Sequence, residues 1–155
     1  MKQAIIVGGL VAMLAACSPG VVWTEYVYKP QHFAVAFTAP PKVTTDRGPL
    51  LVEETNSDVD LGVTAACSIV GGKSSDQVLA DTVEGTRSSG TVRNLTYTAI
   101  GQNVGRELFI DRPGLATVKE RIFVQGNCLY LVFASSTGGT DDDRVTHFLD
   151  SFRLL

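Results

Sequence analysis

Two histidines, His32 and His147, and an aspartate triplet, Asp141-Asp142-Asp143, are the side chains of this 155-residue chain best suited to proton transfer or cation binding. Their surroundings point to plainer roles. His32 opens an alternating apolar run and His147 flanks an apolar stripe, so each reads as a surface or boundary ring, with a triad assembled in space left open. No G-x-S-x-G elbow presents a serine nucleophile. Calcium loops space their oxygen ligands along a turn closed by a glycine and a distant glutamate, a pattern the triplet lacks, so its carboxylates read as a helix start. Neither Gly101 with Gly105 nor Gly138 with Gly139 is followed by the Lys-Ser/Thr of a phosphate loop. Arg87, Arg93, Arg106 and Arg112 are scattered, and a net charge of -3 disfavours nucleic acid as a partner. The reading is of a protein that is not an enzyme, with no catalytic residue, metal ligand or cofactor assigned.

The cysteines carry more. Lys2 precedes an apolar run from Ala4 to Ala16, too short for a bilayer span of roughly 20 residues, which reads as a signal peptide. The run ends Leu14-Ala15-Ala16-Cys17 before Ser18-Pro19-Gly20, and this resembles the lipobox of bacterial lipoproteins. The resemblance implies cleavage before Cys17, a diacylglycerol thioether on Cys17, and acylation of the new terminus by a chain such as palmitate. An uncleaved anchor or a plain signal peptide is the alternative. The expected setting is the cell envelope, with the membrane engaged through the lipid. In the lipoprotein pattern an aspartate after the cysteine favours inner-membrane retention; this chain has Ser18, so the resemblance implies the periplasmic face of the outer membrane if the host has two membranes.

With Cys17 assigned to lipid, Cys67 and Cys128 remain as an even pair in an oxidising compartment. A disulfide between them would stabilise a small domain by about 4 kcal/mol. Two separate buried thiols are the alternative. Neither cysteine has a neighbouring histidine or an evident helix N-terminus to lower its pKa, which disfavours a catalytic thiol.

The elements that must position these residues follow from periodicity. A composition 45% hydrophobic and 19% charged is that of a globular domain, and the length suits one. Residues 17–31 read as a tether or leader whose Trp23, Tyr26 and Tyr28 could pack onto a single domain over 32–155. His32 to Thr38 alternates as a half-buried strand, stopped by Pro40-Pro41. Leu50 to Thr55 and Leu61 to Val70 are further strands, the second pointing Val63, Ala65, Cys67 and Ile69 to one face. Ser74 and Gln77 form a capping box for a helix from Ser75 to about Thr86. Thr91 to Ile100 is β-rich, and Asn103 to Asp111, Ala116 to Gln125 and Asn127 to Ser135 form a meander. Its turns are Arg112-Pro113-Gly114-Leu115 and Gly126-Asn127. If Arg112 faced Leu115 without a bulge, Glu107 would oppose Glu120 and Arg106 would oppose Arg121. Like charges directly across are unfavourable, so a one-residue shift near Asp111 is predicted, bringing Glu107 opposite Arg121 or Lys119 as an exposed charge ladder. Thr140 caps a last helix whose Val145, Phe148, Leu149 and Phe152 make the stripe that lies on the sheet.

With the elements placed, the chain resembles the PsbP-like α/β proteins. The likeness rests on Phe33-x-Val35-x-Phe37-x-x-Pro40, on Gly101-x-x-x-Gly105-Arg106-Glu107 before the meander, and on Phe148-Leu149-Asp150-Ser151-Phe152. It implies an α+β fold, an antiparallel sheet of about six strands packed by two helices, and a role in binding or assembly. No metal ligands of the photosynthetic relatives map onto positions here. The expected function is a lipid-anchored envelope protein acting as a noncatalytic binding or assembly module with an envelope protein partner. A small-ligand carrier is the alternative, followed by an envelope hydrolase.

Overall fold

The computed structural model describes residues 20–45, 48–68 and 71–155; Cys17 and the rest of the signal segment lie outside them. The order is β1 (Thr24–Tyr28), β2 (Phe33–Phe37), β3 (Lys42–Thr44), β4 (Leu50–Thr55), β5 (Val59–Cys67), α1 (Ser75–Thr86), β6 (Thr91–Ile100), β7 (Asn103–Asp111), β8 (Val118–Gln125), β9 (Cys128–Ser136), α2 (Asp143–Ser151) and β10 (Arg153–Leu154). All pairings are antiparallel, in a three-stranded sheet β1-β2-β10 and a seven-stranded sheet β3-β4-β5-β9-β8-β7-β6. The α+β class and the two helices are as expected.

Strands β1, β3 and β10, which add to the expected sheet of about six strands, lie where the sequence pattern is weakest. Residues 24–28, read as leader, are paired with β2 from Thr24↔Phe37 to Tyr28↔Phe33, and β10 flanks the other side of β2. That central position explains why all five β2 residues are buried rather than every second one. Glu54, itself buried, anchors the crossing from the small sheet to the large one. Its carboxylate accepts hydrogen bonds from Thr38 N at 2.8 Å, Ala39 N at 3.2 Å and the Thr38 hydroxyl.

The layers follow from which face each strand buries. On one face of the large sheet, Leu61, Val63, Phe123, Tyr130 and Val132 pack against Phe33, Val35 and Phe37 of the small sheet and Val145, Phe148 and Leu149 of α2, with Phe152 just beyond. On the other face α1 lays Val78, Leu79 and Val83 over Leu108 and Ile110 of β7 and Ile122 and Val124 of β8. The α1 start is the predicted capping box: Ser74 Oγ accepts from Gln77 N and the Gln77 side chain from Ser74 N. α1 connects β5 to the far edge strand β6 and packs mainly over β8 and β7, with Leu129 of β9 in the same cluster, so it lies to one side of that face, away from β5.

The predicted register shift is present. Glu107 faces Arg121 and Ile110 faces Val118. The turn donates Leu115 N to Arg112 O at 3.2 Å with Gly114 at φ 73, and the Thr117 hydroxyl donates to Asp111 Oδ1 at 2.6 Å. Glu107 accepts from Arg121 Nε at 2.6 Å and lies 3.5 Å from Lys119 Nζ, while Arg121 also reaches Asp150 of α2 at 2.7 Å. The cluster thus ties the sheet to α2 and is half-buried rather than the exposed ladder expected, because α2 lies against it.

The last helix begins later than predicted. Asp142, not Thr140, is the N-cap: its carboxylate accepts from Arg144 N at 2.9 Å and from the Ser136 hydroxyl at 2.5 Å, and binds Arg144 Nη2 at 2.8 Å. The Arg144 guanidinium and the Ser136 hydroxyl hold this carboxyl far below the usual carboxylate range. Asp142→Ala is expected to cost about 1–2 kcal/mol, read as a Tm several degrees lower in thermal unfolding at pH 7.

Candidate functional site

Of the residues singled out by sequence, Cys17 lies outside the described region. Cys67 and Cys128 are joined by a disulfide and face each other across the β5–β9 ladder. Cys67 keeps the predicted parity with Val63 and Ala65 but stands at the strand end, beyond the covering layer, so it is exposed rather than in the core. Ile69, assigned to the same face, lies outside the described residues.

The structure gives the histidines separate duties. His32 is exposed at φ 57, where a short turn over 29–31 ends, and its backbone N–H donates to Lys29 O. His147 borders an open groove on α2 with Asp143, Thr146, Asp150 and Ser151, and its ring stacks on Trp23 at 4.2 Å. Among the described residues neither imidazole hydrogen-bonds a hydroxyl, thiol or carboxylate. The nearby Ser151 hydroxyl is committed to structure, donating to Phe148 O at 2.7 Å and accepting from Ala36 N at 3.0 Å. Among the described residues no three His, Cys, Asp or Glu side chains gather as a metal site. Asp142 caps the helix, as described above.

A different constellation stands on the α1 face of the large sheet, beside the C-terminal end of that helix. A cavity of about 270 Å³ is lined by Asp60, Thr64, Arg112, Val118, Glu120, Leu131 and Phe133. Glu120 is only 6% exposed, and its Oε1 has no hydrogen-bond partner. Burial pushes this carboxyl up to about 7, against the opposing influence of Arg112 and the Thr86 hydroxyl. Arg112 Nε is likewise buried without a partner, so an unsatisfied carboxyl oxygen and an unsatisfied guanidinium N–H border one space.

Local packing explains the placement. Glu120 faces Phe133, and Phe133 faces Gly62, so these residues form one row across β8, β9 and β5. The tip of the Phe133 ring occupies the space that a Gly62 side chain would need, which keeps the floor of the cavity low and aromatic. At the rim, the Arg112 side-chain stem lies against Gly90, where an added Cβ would stand 3.1 Å from Arg112 Cγ.

In the sequence Glu120 figures only as the charge that an unshifted register would set against Glu107, whereas the structure buries it. Glu107, Lys119 and Arg121 lie on the α2 side, whereas Glu120 lies on the α1 side with Val118, Ile122 and Val124. The signal was available: Val118, Glu120, Ile122 and Val124 recur at period two, so Glu120 occupies an apolar position of its strand.

No protein-family model and no curated protein matches the chain. Among solved structures, the solution structure of cyanobacterial PsbP (CyanoP) from Synechocystis sp. PCC 6803 is similar over 92% of this chain and 99% of that one. The TM-score is 0.57 and the sequence identity 9%. The fold is PsbP-like. At that identity the likeness concerns the backbone arrangement, and the charged cavity of this PsbP-like domain rests on its own residues.

Proposed function

We propose that the chain is a lipid-anchored cell-envelope protein whose PsbP-like domain serves as a noncatalytic binding or assembly module. The observation that carries the binding role is the Glu120–Arg112 cavity. Buried polar atoms without partners raise the free energy of the empty site by an amount that a bound group with matching donors and acceptors offsets. The noncatalytic part of the reading is supported by His147 stacking on Trp23 and by Ser151 holding β2 to α2. The envelope setting is supported by the disulfide between Cys67 and Cys128.

The anchor rests on Leu14-Ala15-Ala16-Cys17. Trp23 already packs on the domain ahead of β1, so only residues 18–22 separate Cys17 from its first packed side chain. Fully extended, the chain from Cys17 to Trp23 spans about 20 Å, which holds the domain close to the lipid surface. Two or more acyl chains on Cys17 give stable anchoring where one is marginal. The preferred location is the periplasmic face of the outer membrane if the host has two, with an envelope protein as partner.

A small-ligand carrier is the second reading, favoured by the same cavity. Drug-sized pockets run to about 300–1,000 Å³, so the occupant here is a smaller molecule.

The anchor is tested by intact mass of protein taken from native membranes. The expected mass is that of a chain starting at Cys17 plus acyl chains, and Cys17→Ser is expected to move the protein to the soluble fraction. An unacylated mass overturns the anchored reading.

A further inference from the structure

We infer that the Glu120–Arg112 cavity binds a small zwitterion of the α-amino acid class, its ammonium on Glu120 and its carboxylate on Arg112. This deepens the binding reading above and rests on it. The cavity leaves two buried polar atoms unsatisfied. Glu120 Oε1 is a buried acceptor without a donor, and Arg112 Nε–H is a buried donor without an acceptor. A simple anion would serve Arg112 but face Asp60 and the Glu120 carboxylate. A simple cation would serve the carboxylates but face Arg112. A ligand carrying both charges a few bonds apart satisfies each wall with its own opposite.

The other lining residues fit the rest of such a molecule. Leu131, Val118 and the Phe133 ring supply an apolar floor for an aliphatic side chain. Asp60, whose Oδ1 already accepts from the Thr55 hydroxyl at 2.9 Å, adds negative potential on the β5 side, and Thr64 offers a hydroxyl there. A cavity of about 270 Å³ admits a free amino acid.

Isothermal titration of the full chain in detergent with L-leucine at pH 7, in two buffers of different ionisation enthalpy, tests the assignment. The expected result is saturable binding with release of a fraction of a proton, because an ammonium beside Glu120 favours its ionised form. N-acetyl-L-leucine lacks the ammonium and L-leucinamide lacks the carboxylate. Each should bind at least about tenfold more weakly, the effect of losing one charged hydrogen bond. Glu120→Gln should weaken L-leucine about tenfold and abolish proton release, whereas Arg112→Gln should weaken it similarly and keep the release. Circular dichroism checks that both variants are folded.

Three results would overturn the inference: no binding of L-leucine or of any other free protein amino acid, equal binding of the two blocked analogues, or unchanged affinity in Glu120→Gln. None of them would alter the mass of the Cys17 lipoform, so failure of the ligand assignment is separable from failure of the anchored reading.

Discussion

Replacing Cys67 and Cys128 together with alanine is expected to lower the unfolding free energy by about 4 kcal/mol, seen as an earlier midpoint in guanidinium chloride. The effect arises mainly in the unfolded state. The two sulfurs join residues 61 apart in sequence, and the closed loop contains α1, β6, β7 and β8, so reduction frees a large part of the chain once it unfolds. Alanine suits the folded state at both positions, since Cys67 is exposed at its strand end and Cys128 borders the core at 8% exposure. Reduced wild-type protein should unfold near the same midpoint as the double variant. A midpoint unchanged by either treatment would show that the reduced chain stays as constrained as the oxidised one.

Where local chemistry decides local structure, the sequence is legible. Ser74 and Gln77 sit three residues apart and cap each other, and Pro113-Gly114 can take few conformations besides the observed turn. The register of β7 on β8 is readable because one slip sets like charges against each other and the next pairs Glu107 with Arg121. What escapes depends on distant partners. Residues 24–28 alternate too little to announce a strand, and their pairing is supplied by β2. Asp142 wins the cap from Thr140 because Ser136 and Arg144 lie where its carboxylate can reach them. Cys67 has the right parity but no layer above it, a property of where the small sheet and α2 end. Glu120 was hidden by its neighbours: it stands between the charged Lys119 and Arg121, although period two places it on the apolar face.

Glu120 sets the second large effect, which is pH-dependent. Its carboxyl has an ordinary value of 4.5, and burial raises it to about 7 in the folded protein. Between these values the native state holds a proton that the unfolded state has released. Stability from this group is therefore complete below about pH 4.5, declines as pH rises through about 7, and is absent above it. The shift corresponds to about 3 kcal/mol. Glu120→Gln keeps the shape and removes the charge, so it should be about 3 kcal/mol more stable than wild type at pH 8 and nearly equal to it at pH 4.5, by urea unfolding at both values. Asp142 acts in the opposite direction and at lower pH, since its depressed carboxyl supports stability that is lost only on strong acidification, in variant and wild type alike. Parallel stability curves between pH 4.5 and 8 would mean that Glu120 is better solvated than its 6% exposure implies. A gain confined to neutral and alkaline pH would instead show a carboxyl retained at a measurable cost to the fold, and an ammonium placed beside it is the chemistry that offsets that cost.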